Sequence, residues 1–237
     1  MKSFGLHFLF IGMLLAAGSF LSGCARRTFE GQALEPAALA AHRTVAILPF
    51  AVELERLRDV VVHAGVWSTD SAARTLGSTL ESGLQAERRQ MGYQLQAAFQ
   101  AELMRQQVER PATSTFQNPA ETNQRLARAG ITYENLPTRS MAELRAALGV
   151  DAVLTGQTSM RQLLPGGVSI AVFVLSNSSN PMADNAVRTS LDIYDTQTGQ
   201  LVWRFDHELH GKPSTSPVAL SKALVRDMKG DFPYLKK

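Results

Sequence analysis

The chain has 237 residues, 45% hydrophobic and 19% charged, with a formal net charge of +3, five histidines and a single cysteine. One cysteine excludes a disulfide framework, so stability must come from burial, and about 210 residues bury roughly 70% of their unfolded surface without such staples. The small net charge and the dispersed basic residues exclude a nucleic-acid stripe, so no nucleic-acid partner is expected.

Lys2, the apolar run Phe8 to Phe20 and the small residues after it have the layout of a secretory signal over residues 1–23. A spanning helix needs about 18 apolar residues, so the run suits a cleaved segment better than a permanent span. Leu21-Ser22-Gly23-Cys24 follows directly and resembles the lipobox of bacterial lipoproteins. In that family the thiol receives a diacylglyceryl group, the peptide bond before it is cut, and the new amine is usually acylated. The resemblance implies Cys24 as the lipid-attachment residue and a membrane as the first partner. In the same family an aspartate after the cysteine retains the protein in the inner membrane. Ala25 and Arg26 carry no such signal, which implies the outer membrane with the domain facing the periplasm. Acyl burial is worth about 0.8 kcal/mol per methylene, so two or three chains make attachment effectively permanent. Arg26-Arg27 reads equally as a headgroup contact or as solvated linker charge.

Residues 24–42 lack a sustained apolar period and read as a lipidated tether, with the globular domain beginning at Arg43 and filling 43–237. Thr44 to Phe50 predicts a buried central strand closed by Pro49. Val60 to Ser71 lacks pattern. Thr69, Asp70 and Ser71 offer caps for a helix carrying Leu76, Leu80 and Leu84. A second series, Met91, Leu95, Phe99 and Leu103, is separated by Gln94, Gln96, Gln100 and Glu102 and predicts a helix with one face on the sheet. Gly83 and the polar segment Gln85 to Gln90 predict a break between the two, a single long helix being the alternative.

Asn118-Pro119-Ala120-Glu121 and Ser140-Met141-Ala142-Glu143 are helix starts, the second a capping box whose helix stops at Gly149. Val150 to Gly156 predicts another buried strand. Val168 to Leu175 is β-prone and Asn177 to Asn185 reads as a loop. Val187, Thr189, Leu191 and Ile193 alternate with polar residues, and Asp195 to Gln200 supplies a turn into Leu201, Trp203 and Phe205 on one face. Pro217 to Met228 predicts a closing helix with Leu220 and Leu224 inward, and Phe232-Pro233-Tyr234 a hydrophobic clip. The expected fold class is α/β: a three-layer unit with a mixed central sheet flanked by helices, preceded by a cleaved signal and a flexible tether.

Chemistry is sparse. His207-Glu208-Leu209-His210 lacks metal-ligand spacing, because on a strand its two rings point to opposite sides, and it reads as a polar strand end. His42 and His63 offer no ligand cluster. Neither a nucleophile elbow, a phosphate loop nor a dinucleotide fingerprint occurs. Asp151, Asp192 and Asp195 read as solvated or capping acids at turns and edges. No catalytic, cofactor-binding or metal residue is therefore named. The chain is expected not to be an enzyme and to carry no cofactor beyond the lipid on Cys24.

Val45 to Phe50, Leu148 to Gly156, and Asp192 to Trp203 together resemble the CsgG-like, LpoB-like periplasmic lipoprotein superfamily, whose domain is related to the amino-terminal domain of TolB. The resemblance implies a non-catalytic envelope module that assists assembly, secretion, transport or regulation through contacts with envelope proteins. It also implies two alternatives, a homo-oligomeric export ring and an activator of a peptidoglycan synthase. The chain departs from pore-forming members in having no pair of hairpins with the regular lipid/lumen alternation of a barrel.

Overall fold

The computed structural model describes residues 27–56, 71–108, 110–162, 186–210 and 214–235. The signal, Cys24, His63, the stretch from Val168 to Leu175 and the loop from Asn177 to Asn185 lie outside the described residues. Strands β1 (Arg27–Ala33), β2 (Thr44–Ile47), β3 (Ala51–Arg56), β4 (Thr115–Phe116), β5 (Ala152–Gln162), β6 (Ala186–Asp195) and β7 (Leu201–His210) form one sheet. Helices α1 (Pro36–Ala41), α2 (Ser71–Gln106), α3 (Pro119–Arg128), α4 (Met141–Leu148) and α5 (Pro217–Met228) accompany it. The strand order is β1-β7-β6-β5-β2-β4, and β3 also pairs with β5. The β1, β7, β6 and β5 pairs are antiparallel, while β2 and β3 run parallel to β5. This is the expected mixed sheet.

Strands β2 and β3 lie end to end along β5, joined by a bulge. Ile47 pairs with Leu154 but Ala51 with Gln157, so the β2–β3 side carries one residue more than its partner. Pro49 sits in that bulge, where its missing N–H costs no ladder bond. The Phe50 ring lies over Gly156, and its amide donates to the Gly92 carbonyl at 3.2 Å. A Cβ on Gly156 would stand 2.6 Å from the Phe50 ring, and one on Gly92 2.3 Å from the Phe50 carbonyl oxygen. Both glycines therefore serve close approach.

One face of the sheet is buried under α2 and α5. Leu95, Phe99 and Leu103 of α2 and Leu220, Leu224, Val225 and Met228 of α5 pack on Val45, Ile47, Leu154, Leu191, Ile193, Trp203 and Phe205. Met91 packs against the same core, as its stripe predicts. A smaller cluster on the other face joins Ala46, Leu48 and Val153 to Leu126 of α3 and Leu144 and Leu148 of α4. Helices thus flank the sheet on both faces, and the three layers expected from the sequence are present. The Asn118 side chain caps α3 through the Ala120 amide, Ser140 and Glu143 close the capping box on α4, and Gly149 takes φ 66° beyond its end. Phe232 and Tyr234 are buried as the hydrophobic clip.

Two boundaries differ from expectation. The fold extends before Arg43, because part of the expected 24–42 tether is strand β1 and helix α1, with Leu39 and His42 buried. An edge strand pairs along one side only and needs little apolar surface, so Arg-Thr-Phe-Glu-Gly-Gln-Ala shows no hydrophobic period. The break expected in α2 is absent and the helix runs through 36 residues. Gln, Glu and Arg are good helix formers, and one exposed glycine costs only about 1 kcal/mol. Of the first leucine series, Leu84 is buried and Leu80 is exposed. Gln96 and Gln100, expected between the apolar positions, are buried as well, the Gln96 amide donating to the Ile47 carbonyl at 2.7 Å.

Candidate interaction surface

Among the described residues, the α3–α4 layer covers the β2 and early β5 part of its face, with Tyr194 of β6 packed against it. Across β3, β5, β6, β7 and β1 the same face is polar and organised in cross-strand rows. Arg188 stands opposite Glu208 with Nε donating to the carboxylate at 2.5 Å, Ser190 opposite Asp206 at 2.5 Å, and Asp192 opposite Arg204. The Arg204–Asp192 pair is bidentate at 2.7 and 2.9 Å, and that carboxylate raises the affinity of the guanidinium for its proton. Arg161 reaches Glu55 at 2.9 Å. On the edge strand, Glu30 is in register with Asp206, two acids side by side. The charges of this surface face one another across the strands. It is the alternation of β6, with Arg188 and Asp192 outward, that made this face legible in the sequence.

The remaining polar groups of interest are inside and committed. His42, one residue past the end of α1, donates from Nε2 to Asp195 at 2.9 Å and lies 2.7 Å through Nδ1 from the Tyr234 hydroxyl. Burial alone would raise the Asp195 pKa. The His42 bond, the Thr198 amide and hydroxyl and the Gln197 amide outweigh it and hold the carboxyl below its ordinary value. An ionised Asp195 fixes the proton on Nε2, so Nδ1 accepts from Tyr234. Burial, then the nearby Asp195 and Asp151, push the tyrosine pKa up and keep its proton in place. Asp151 accepts from the Arg43 and Thr44 amides, both at 2.9 Å, and from the Thr44 hydroxyl at 3.0 Å. Burial again opposes these bonds, and they again prevail, lowering its pKa.

This network ties the start of β2, the β6–β7 turn and the carboxyl-terminal clip together. Tyr234 is fully buried beneath Phe116 and Phe232, so the Tyr–His–Asp series is closed at its tyrosine end and reaches the surface only at the partly exposed Asp195. The expectation of capping acids is met by Asp151 and Asp195, whereas Asp192 is an ion-pair partner. His42 does belong to a cluster, which lone-residue reading missed.

A second buried knot lies under the edge strand. His207 is not a polar strand end: it is buried and bonded through Nε2 to Asp227 of α5 at 3.0 Å. His210 points to the other side of β7, toward Glu208 at 3.0 Å, as strand geometry requires. Asp227 also accepts two bonds from Arg226, at 2.8 and 3.0 Å, and one from Arg27 at 3.3 Å. Burial pulls the His207 pKa down against the pull of Asp227. The Asp227 pKa is lowered by Arg226, His207 and Arg27, which prevail over the upward effect of its own burial. Phe29 stacks on the His207 ring at 6.4 Å. No sequence signal links residues 27, 207 and 227, which lie on three separate elements.

Among the described residues no group of three or more His, Cys, Asp or Glu side chains can hold a metal, and no helix is long and apolar enough to cross a membrane.

No protein-family model matches the chain, and no curated protein matches it. Similar solved structures include the PelC dodecamer from Paraburkholderia phytofirmans, at 11% identity over 90% of this chain and 99% of that one, with a TM-score of 0.36. Lipoprotein GNA1162 from Neisseria meningitidis is 12% identical over 79% of this chain and 96% of that one, with a TM-score of 0.36. The LpoB carboxyl-terminal domain from Salmonella enterica is 12% identical over 70% and 81%, with a TM-score of 0.26. At TM-scores this low the likenesses carry no functional weight.

Proposed function

We propose that this chain is a lipoprotein of the bacterial envelope, held to the outer membrane through lipid on Cys24, whose α/β domain is a non-catalytic module recognising other envelope proteins. The observation that carries the reading is Leu21-Ser22-Gly23-Cys24 directly after an apolar run, with the only cysteine of the chain at its end. Two features of the domain support it. Its polar clusters are spent on holding elements together, as His42, Asp195 and Tyr234 show, and among the described residues one sheet face carries charged cross-strand rows suited to a partner. An assembly, transport-accessory or regulatory role follows from such a surface on an anchored body.

A homo-oligomer is the second reading, favoured by β1. It is the outermost strand, and no described strand pairs with its other side. A free edge of this kind is a template for another chain.

Intact mass measurement of the amino-terminal peptide tests the anchor. The expected result is a mature end at Cys24 carrying a diacylglyceryl thioether and an acylated amine. Cys24→Ala is expected to move the protein from the membrane fraction to the soluble one. An unmodified thiol on a chain with its first 23 residues intact would overturn the reading. Sedimentation of the detergent-solubilised protein separates monomer from ring.

A further inference from the structure

The lipid site and the first strand of the sheet are close together in the chain, and this spacing fixes an orientation. Three peptide steps separate Cys24 from Arg27, a reach of about 10 Å at most. Strand β1 is bound to the rest of the domain from its first residue. Arg27 donates to Asp227, Phe29 lies on Phe205 and His207, Gly31 packs against Asp231 and Phe205, and the Leu34 amide donates to the Val202 carbonyl at 2.9 Å. A free tether over 24–42 would have let the domain turn in any direction. A leash this short, ending in a fixed strand, does not.

The register says which end of the sheet the leash enters. Arg27 is opposite Leu209, Ala186 opposite His210 and Arg161, and Arg56 opposite Gln162. The start of β1, the ends of β7, β5 and β3, and the start of β6 therefore share one end. Helix α5 begins there too. Its Asp227 lies beside His207 and the following Asp231 beside Gly31, so the helix runs from the Arg27 end toward the β6–β7 turn. That leaves Val218, 64% exposed at the start of α5, on the same end. The Asp195–Gln200 turn is at the other, about 33 Å away along a ten-residue strand at about 3.3 Å per residue.

We propose that the Arg27–His210–Val218 end of the domain rests against the bilayer and that the Asp195–Gln200 turn points away from it, the strands standing upright on the membrane. This rests on the lipid-anchor reading above. The arrangement sets the charged sheet face perpendicular to the bilayer, where its Arg188–Glu208 row can meet a partner in the periplasmic space. Val218 and the partly exposed Phe29 supply apolar contacts near the anchor.

The chain offers a direct test, because its one cysteine is consumed by the lipid and any introduced cysteine is a unique label. Full-length lipidated protein carrying Thr28→Cys, Val218→Cys or Gln197→Cys is labelled with a fluorophore and placed in phosphatidylethanolamine–phosphatidylglycerol vesicles containing brominated lipid. The labels at 28 and 218 are expected to be quenched several-fold more than the label at 197. A Gly-Ser linker of about twenty residues inserted after Ala25, with ends about 25 Å apart on average, is expected to erase that difference while the protein still floats with the vesicles. Equal quenching at all three sites, stronger quenching at 197, or a gradient unchanged by the linker would each overturn the orientation. Mass measurement on the same samples keeps the two readings apart. An acylated Cys24 without the gradient sinks only the orientation, and an unacylated Cys24 sinks the anchor.

Discussion

At the scale of single residues, the buried acids and histidines of this domain act as fasteners, and the one beneath the edge strand makes stability depend on pH. Burial keeps His207 neutral where the unfolded chain, with an imidazole pKa of about 6.5, takes up a proton. Below about pH 6.5 the unfolded state therefore binds more protons than the folded one, and stability falls as the solution is acidified. Asp227 acts lower down: its depressed pKa contributes stability that is complete above about pH 4 and lost as pH drops through the folded value. Urea midpoints measured from about pH 8 to 3 are expected to decline below about 6.5 and again below about 4. His207→Gln, which keeps a donor for Asp227 but cannot titrate, is expected to flatten that decline and leave the loss below about pH 4. A midpoint constant across the upper range in the parent protein would contradict this account.

At the scale of elements, glycines separate by what surrounds them. Gly156 sits under the Phe50 ring at the bulge that joins β2 to β3, and Gly83 lies on the exposed side of α2 with nothing within 4 Å of an added Cβ. Gly156→Ala forces a buried aromatic ring to shift, an overpacking that costs about 1–3 kcal/mol. Gly83→Ala is expected to stabilise by up to about 1 kcal/mol, since alanine is the better helix former. Thermal unfolding of the two variants should move the midpoint in opposite directions, and a loss of stability at position 83 would mean that α2 has a contact there which the helix geometry does not account for. The same comparison explains why α2 escaped a correct reading. A glycine and a polar run look like a boundary in sequence, but neither has the steric force of a proline to end a helix.

At the scale of the whole molecule, the domain boundary carries the most consequence. Because β1 completes the sheet and covers Phe205 and His207 through Phe29, deletion of Arg27–Ala33 is expected to lower the thermal midpoint and expose the edge of β7. A tether would be removed without effect, so an unchanged midpoint would restore the boundary at Arg43.

The features legible from the chain alone are local in origin. The caps at Asn118 and Ser140, the stop at Gly149, the apolar stripe of α2 and the alternation of β6 each depend on residues within one or two turns, or one strand, of each other. The Leu21-Ser22-Gly23-Cys24 run is local in the same sense. Long-range packing is what makes Arg27–Ala33 a strand, brings His42 to Asp195 and Tyr234, and lets His207 and Arg27 share Asp227. The His42–Asp195 and Arg27–Asp227 contacts join residues 153 and 200 positions apart, and even His207 and Asp227, 20 positions apart, lie on different elements. An edge strand takes its stability from a partner's backbone, and a buried polar group takes its identity from whatever partner the fold delivers, so neither leaves a periodic trace in its own segment.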